Sequence, residues 1–373
     1  MKKTGLLCAL VVLLLPVLAC AEGAVYTLMD ESGAVVTRYC GECDVGDEYI
    51  SQDNQHYRVT KVDDQQKRAT VEHLGKASMP EVSWLDAEEP QPVSATAQRR
   101  IALYCTHSDE SYIEGDGTES VEGKGGIYDI AHLFADHLEE KGVTVELSEE
   151  THLPHDAGAY RRSRQTAVQL LKNQPNAIFD IHRDGIPDPD EYAATVGTQK
   201  MSKVRLLVGK SNQNKEANLS FAKQIKAIGD KVYPGLIKDI YMGKGAYNQD
   251  LAPRSVLLEF GTHTLDKSLV EASTKPMSDV VYKALFGGVV GSAGASDVRS
   301  SSPKSAEEPA PEKPAVEDNT GAGWAVWLVI ALIAGLGIFA FLSTGGRGGM
   351  DKFGRSFREM TGGLFGKKPK KDS

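Results

Sequence analysis

Residues 177–185 read AIFDIHRDG: an apolar run long enough for a buried strand, closing on Asp180, His182, Arg183 and Asp184. Segments of the same kind lie on both sides. Upstream are RRIALYCTH (99–107), GGIYDIAHLFADHLEEKG (125–142), VTVELSE (143–149) and YRRSRQTAVQLLKNQ (160–174). Downstream are VRLLVGK (204–210), NLSFAKQIKAIGDKVY (218–233), IKDIYMG (237–243) and SVLLEFG (255–261). Apolar runs of strand length alternate with stretches of helical period, which is the order of an α/β domain. Continuous rather than alternating hydrophobicity in the strands calls for a sheet covered on both faces, mixed or mostly parallel and flanked by helices. Such sheets carry their functional groups at the carboxyl ends of the strands.

Three strand ends carry chemistry. IALYC leads into Thr106, His107, Ser108, Asp109 and Glu110; AIFDI into His182, Arg183 and Asp184; SVLL into Glu259. Two imidazoles and a carboxylate with an open fourth position are a catalytic zinc set, and a further carboxylate would serve as base. His132 and His137 lie in the helical stretch IYDIAHLFADHL and read as structural.

The run from about Ile101 to Val290 resembles the catalytic domain of the stage II sporulation protein P family of N-acetylmuramoyl-L-alanine amidases. The matching strings are THSDESY (106–112), THLPHD (151–156), AYRRSRQTA (159–167), AIFDIHRDG, GKSNQNKEANLSFA (209–222), AYNQDLAPRSVLLEFG (246–261) and THTLDKSLVEA (262–272). The resemblance implies a zinc amidase-like fold and hydrolysis of the amide between N-acetylmuramic acid and L-alanine in peptidoglycan, with Zn2+ as Lewis acid. Carried over by motif, His107, Glu110 and His182 are the implied metal ligands, with His155 the rival to Glu110, and Glu259 is the catalytic carboxylate. Arg183 and Arg161 are candidates for binding peptide carboxylates, against the alternative of an ion pair with Asp184 or Asp180. Asp184 is a candidate to orient a ligand histidine. Where the family has YHTH this chain has Tyr104-Cys105-Thr106-His107, so Cys105 reads either as a small buried residue or as a thiolate near the metal.

The rest of the chain sets where this domain works. Residues 1–21 combine two lysines, an apolar run and small residues at Ala19 and Ala21, the pattern of an export signal. Val17-Leu18-Ala19-Cys20 also fits a lipoprotein processing site with Cys20 acylated. Residues 24–90 alternate polar and apolar in short runs and read as a small N-terminal β module. Within it Cys40 and Cys43 read as a local disulfide, free thiols or part of a metal site. The catalytic domain covers residues 99–292. Residues 293–323, rich in Ser, Pro and Glu, form a stalk. Trp324–Leu342 is uncharged and of spanning length, a single transmembrane helix. Residues 343–373 form a basic tail with eight Lys and Arg against three Asp and Glu. The positive side stays in the cytoplasm, which leaves the catalytic domain outside it and the tail's lysines free to meet anionic lipid.

At 373 residues, 41% hydrophobic and 25% charged, the chain is neither wholly disordered nor a multi-span transporter. A net charge of -9 offers no basic surface for nucleic acid. The partners expected are peptidoglycan, membrane lipid through one helix, and other wall-remodelling membrane proteins. Two further functions compete with the amidase: a catalytically silent wall-binding or regulatory protein of the same fold, and a tethered adhesion module acting through the β region.

Overall fold

The computed structural model describes residues 23–86, 98–156 and 158–287. The expected export signal, stalk, transmembrane helix and basic tail all lie outside these residues. Among the described residues no helix is long and apolar enough to cross a membrane.

The first strands are β1 (Val25–Met29), β2 (Val35–Cys40), β3 (Glu48–Ile50), β4 (Gln55–Asp63) and β5 (Arg68–Lys76). There follow β6 (Arg100–Tyr104), a short turn α1 (Ile113–Asp116), helix α2 (Ile127–Glu139), β7 (Thr144–Leu147), α3 (Ala159–Leu171) and β8 (Ala177–Asp184). A hairpin of β9 (Ala193–Val196) and β10 (Gln199–Ser202) precedes β11 (Val204–Gly209), α4 (Lys215–Val232), β12 (Ile237–Gly243), β13 (Ser255–Thr262) and α5 (Lys267–Phe286).

Apart from that hairpin, all the strands among the described residues join one eleven-stranded mixed sheet in the order β2-β1-β5-β4-β3-β12-β11-β13-β8-β6-β7. From β7 to β12 every neighbouring pair is parallel except β13 with β11. The α/β order read from the sequence is therefore that of the structure, and helices flank the sheet. Every residue of β8, β11 and β12 is buried, as strands covered on both faces require. Helix α2 buries Ile127, Ile130, Ala131, Phe134 and Leu138, one stripe at helical spacing, and packs against α5.

The β region differs from the expectation of a separate small module. Its strands do alternate, β1 burying Tyr26 and Leu28 while their neighbours are half-exposed. Yet β3 pairs antiparallel with β12, Tyr49 opposite Tyr241, so the five strands extend the main sheet. An alternating pattern reports a half-buried strand and says nothing of which sheet it joins.

Arg205 on β11 fastens the two halves. It is fully buried and donates to both Asp239 oxygens (2.8 and 3.0 Å), to Asp184 Oδ2 (2.8 Å) and to the Arg38 carbonyl on β2 (2.8 Å). Asp184 is thus engaged by Arg205 and by the Tyr192 hydroxyl (2.6 Å), and does not orient a site histidine as expected. Cys40 and Cys43 are not joined to each other. Cys43 turns into the core, where burial pushes its thiol up to about 11, while Cys40 donates to the Gly23 carbonyl (3.2 Å).

Glu48, at the start of β3, meets His56 Nε2 (2.7 Å) and accepts from Lys210 Nζ (2.9 Å). Bonding to His56, then to Lys210, holds its carboxyl at about 2 against the ordinary 4.5. A depressed folded-state value gives stability that is complete above the unfolded value and lost as pH falls through the folded one. Glu48→Gln should therefore lower stability at pH 7 by about 1–2 kcal/mol after solvent screening. It should also flatten the acid limb between roughly pH 4.5 and 2. Thermal melts across that range check this, and an unaltered acid limb would count against it.

Candidate active site

The site grows from the carboxyl ends of β6, β8 and β13. On β8, Asp180 and His182 share a face because strand side chains alternate. His182 stands in register with Glu259 of β13. Beyond Glu259 the pairing register shifts, at the point where Gly261 takes φ 71°, a left-handed backbone that suits glycine. The loop after β6 is fastened to this face by Asp180, whose Oδ1 accepts the Thr106 N–H (2.8 Å) and whose Oδ2 accepts the Thr106 hydroxyl (2.6 Å). That anchor delivers His107 and Glu110.

The geometry brings three of the sequence candidates together. Glu110 Oε1 lies 3.0 Å from His107 Nδ1 and 3.2 Å from His182 Nδ1, and donor atoms of the three residues all fall within 4.8 Å of one another. Glu110 Oε2 accepts the Arg183 backbone N–H at 2.9 Å. The far nitrogen of His182, Nε2, is 3.0 Å from Asp180 Oδ1, too poorly aligned for a hydrogen bond and so left without one. Burial alone would raise the Glu110 carboxyl, but His182 and His107 hold it well below the usual carboxylate range. Burial would likewise lower His182, but Asp180 and Glu110 raise it well above the usual imidazole range. His107 has less carboxylate around it, and burial brings it down.

Glu259 stands beside this cluster with its Oε2 buried and without a hydrogen-bond partner. Burial, and next the charge of Asp184, push its carboxyl well above the ordinary value, with His182 opposing. Two imidazoles and a carboxylate converging on one spot are a donor set that zinc accepts, and a partnerless buried carboxylate next to it is placed to take a proton.

The remaining candidates divide. His155 stacks on His107 (centroids 3.9 Å apart, 24° between planes) and faces Asp109 Oδ1 at 3.1 Å, outside the convergent trio. Arg183 is buried, and its guanidinium donates to the loop carbonyls of Ser111 (2.8 Å) and Glu119 (2.6 Å), so it clamps the loop that carries Glu110. Arg161 is exposed at the rim. Cys105 packs in the apolar core, where burial raises its thiol well above the usual value. His132 and His137 pair with Glu149 and Glu140 on the surface.

The trio of His107, Glu110 and His182, with His155 and Glu259, lines a cleft of about 740 Å3. Sequence reasoning missed two features of the site. In the sequence Asp180 reads only as an ion-pair partner for arginine, although its i, i+2 spacing from His182 marks it as a same-face neighbour. The wall formed by Tyr39, Gly41, Glu42 and Asp44 comes from the β region, which no local motif attaches to the site.

Fold and site together define an α/β protein with a candidate metal-binding cleft at the carboxyl ends of its central strands. The sequence pattern of the family Stage II sporulation protein P (SpoIIP) matches residues 37–282, and the chain belongs to that family. It is 27% identical over 236 residues to the stage II sporulation protein P of Bacillus subtilis (strain 168), covering 58% of each chain. The chain thus spans about three-fifths of that relative's length. It also resembles the CwlD amidase of Clostridioides difficile solved in complex with the GerS lipoprotein (18% identity, 50% of this chain and 96% of that one, TM-score 0.33). A further resemblance is to the catalytic domain of CwlV, an N-acetylmuramoyl-L-alanine amidase of Bacillus (Paenibacillus) polymyxa var. colistinus (15% identity, 51% and 100%, TM-score 0.34).

Proposed function

We propose that the protein is a zinc-dependent N-acetylmuramoyl-L-alanine amidase that trims peptidoglycan during sporulation, in engulfment. The observation that carries this reading is the convergence of His107, Glu110 and His182 beside the partnerless Oε2 of Glu259. Membership of the sporulation family and the matched strings around these residues support the substrate.

His107, Glu110 and His182 would hold the ion. When bound, zinc supplies Lewis acidity that polarises the amide carbonyl and makes water easier to deprotonate. The chain's own groups do the rest. Glu259 Oε2, on a rigid strand, accepts the proton of the attacking water and returns it to the leaving alanine nitrogen. Asp180, 3.0 Å from Nε2 on the far side of the imidazole, steadies His182 by its charge. Arg183 keeps the Glu110 loop in place. Arg161, exposed at the rim, holds a carboxylate of the stem peptide.

The same proposal places the catalytic domain outside the cytoplasm on a single-pass membrane anchor. Trp324–Leu342 and the basic residues after it support this, as does the export pattern of residues 1–21. Working partners are then peptidoglycan and other wall-remodelling membrane proteins.

The test joins metal and product. Protein purified with zinc is expected to hold about one ion per chain and to release, from purified peptidoglycan, stem peptides with a free N-terminal L-alanine. Mass analysis of the products decides it. Bound zinc with intact muramyl-alanine linkages would overturn the activity, and activity that survives complete chelation would overturn the metal.

A further inference from the structure

The loop between β12 and β13 adopts an unfavourable backbone where it meets the cleft. Tyr247 (φ 49°), a bulky residue, stands in the left-handed region that such side chains avoid, followed by Asn248 (φ 55°), a residue type that tolerates it. The surroundings enforce it. The Asn248 amide donates to the Tyr160 carbonyl (3.1 Å) and to Ser163 Oγ (3.0 Å), and the Gln249 amide donates to the Leu207 carbonyl (2.9 Å) and accepts from the Gly209 N–H (2.8 Å). A Cβ on Gly245 would stand 2.5 Å from Tyr247 Cζ, so a bare glycine is what lets the ring lie there.

None of these groups belongs to the His107, Glu110 and His182 cluster. What they fix is an aromatic ring. Tyr247 is half-buried and lines the cleft, 5.3 Å and 74° from the Tyr160 ring, with its hydroxyl 3.5 Å from that of Tyr39. Tyr39 is itself held by stacking on Tyr241 (3.7 Å, 10°). The Tyr160 ring lies 5.5 Å from that of His107 and 6.3 Å from that of His182. An aromatic surface therefore runs outward from the catalytic cluster, and an enforced strained conformation holds its outer member in place.

The face of an aromatic ring is electron-rich, and the C–H groups on one face of a pyranose are polarised by the oxygens beside them. The two surfaces complement each other in shape and in charge. A peptide backbone would instead call for a row of amide partners, which tyrosine rings do not offer. Resting on the amidase reading, we propose that Tyr247 and Tyr160 form a saccharide subsite that takes the pyranose ring bearing the scissile amide, so that the protein selects stem peptides still joined to glycan.

The experiment uses the full zinc-loaded chain in detergent and two substrates with one stem sequence, a disaccharide-peptide and a sugar-free D-lactoyl peptide. The readout is the ratio of their kcat/KM values. Tyr247→Leu is expected to shrink the preference for the sugar-bearing substrate by about 10- to 100-fold, the range that stacking on an aromatic ring spans. Tyr247→Phe keeps the ring and should keep the preference. Tyr160→Leu, on a regular helix, repeats the test where loop strain is not at issue. An unchanged ratio in both leucine variants would overturn the subsite. Cleavage of neither substrate by the unaltered protein would instead remove the amidase reading. The subsite is then judged by binding of a peptide-free N-acetylated disaccharide: binding lost in the leucine variants upholds it, and no binding to the unaltered protein overturns it.

Discussion

His182→Ala protein is expected to emerge from dialysis without zinc and to release no stem peptide. The reason is the size of the donor set: three groups converge, and removing one leaves two, too few to hold a structural or catalytic zinc site. Affinity should fall by orders of magnitude, beyond the roughly 10- to 100-fold that loss of a ligand's orienting partner costs. Asp180→Asn serves as that milder comparison, because Asp180 is not itself one of the three donors and acts on the site through His182 and through its anchor on Thr106. The fold should largely survive. The imidazole is buried, and its removal leaves Glu110 and Asp180 with one partner fewer at a cost of about 1–3 kcal/mol, within reach of ordinary domain stability. His155→Ala should keep its zinc, since that ring faces Asp109 and lies outside the trio. Metal analysis and a thermal melt on the same samples check all three variants. Undiminished zinc in His182→Ala would remove His182 from the ligand set, and zinc lost from His155→Ala would bring His155 into it.

The central strands were legible because burial on both faces leaves a plain mark, an unbroken apolar run ending in polar residues. AIFDIHRDG and SVLLEFG are of this kind. The chemistry at their ends followed, since a sheet of this class presents its strand ends together. The sequence did not carry long-range registration. Nothing in EYI at residues 48–50 announces that it pairs with IKDIYMG nearly two hundred positions later, and that pairing is what brings Tyr39 and Glu42 to the cleft. Arg205 was equally silent: an arginine inside VRLLVG reads as a blemish in an apolar strand until Asp239, Asp184 and the Arg38 carbonyl close around it. Arg183 shows the converse. In the sequence its position beside His182 suggests a role in binding substrate, whereas in the structure its guanidinium serves the loop carbonyls of Ser111 and Glu119.

Glu259→Gln should separate the metal from the chemistry. Glutamine keeps the shape and volume of glutamate, and β13 places the side chain through a rigid strand in register with His182, so the substitution leaves the geometry of the cleft unchanged. Glu259 is not one of the three convergent donors, and zinc should remain bound at the level of the unaltered protein. What glutamine cannot do is accept a proton. The Oε2 atom that stands buried without a partner becomes half of a neutral amide, and the attacking water loses its base. Loss of a general base typically costs about 100- to 10,000-fold in rate, so kcat should fall by that factor with KM little altered, because the lost interaction develops in the transition state. Stability should hold or rise, since burial already disfavours the charged carboxylate and a neutral isostere removes that penalty. The measurement is the rate of release of stem peptides with a free N-terminal L-alanine, taken beside zinc content and melting temperature. Near-normal turnover would make Glu259 a structural residue, and loss of zinc would make it a ligand. Either outcome would return the proton transfer to another group in the cleft, of which His155, stacked on His107 and paired with Asp109, is the nearest imidazole outside the trio.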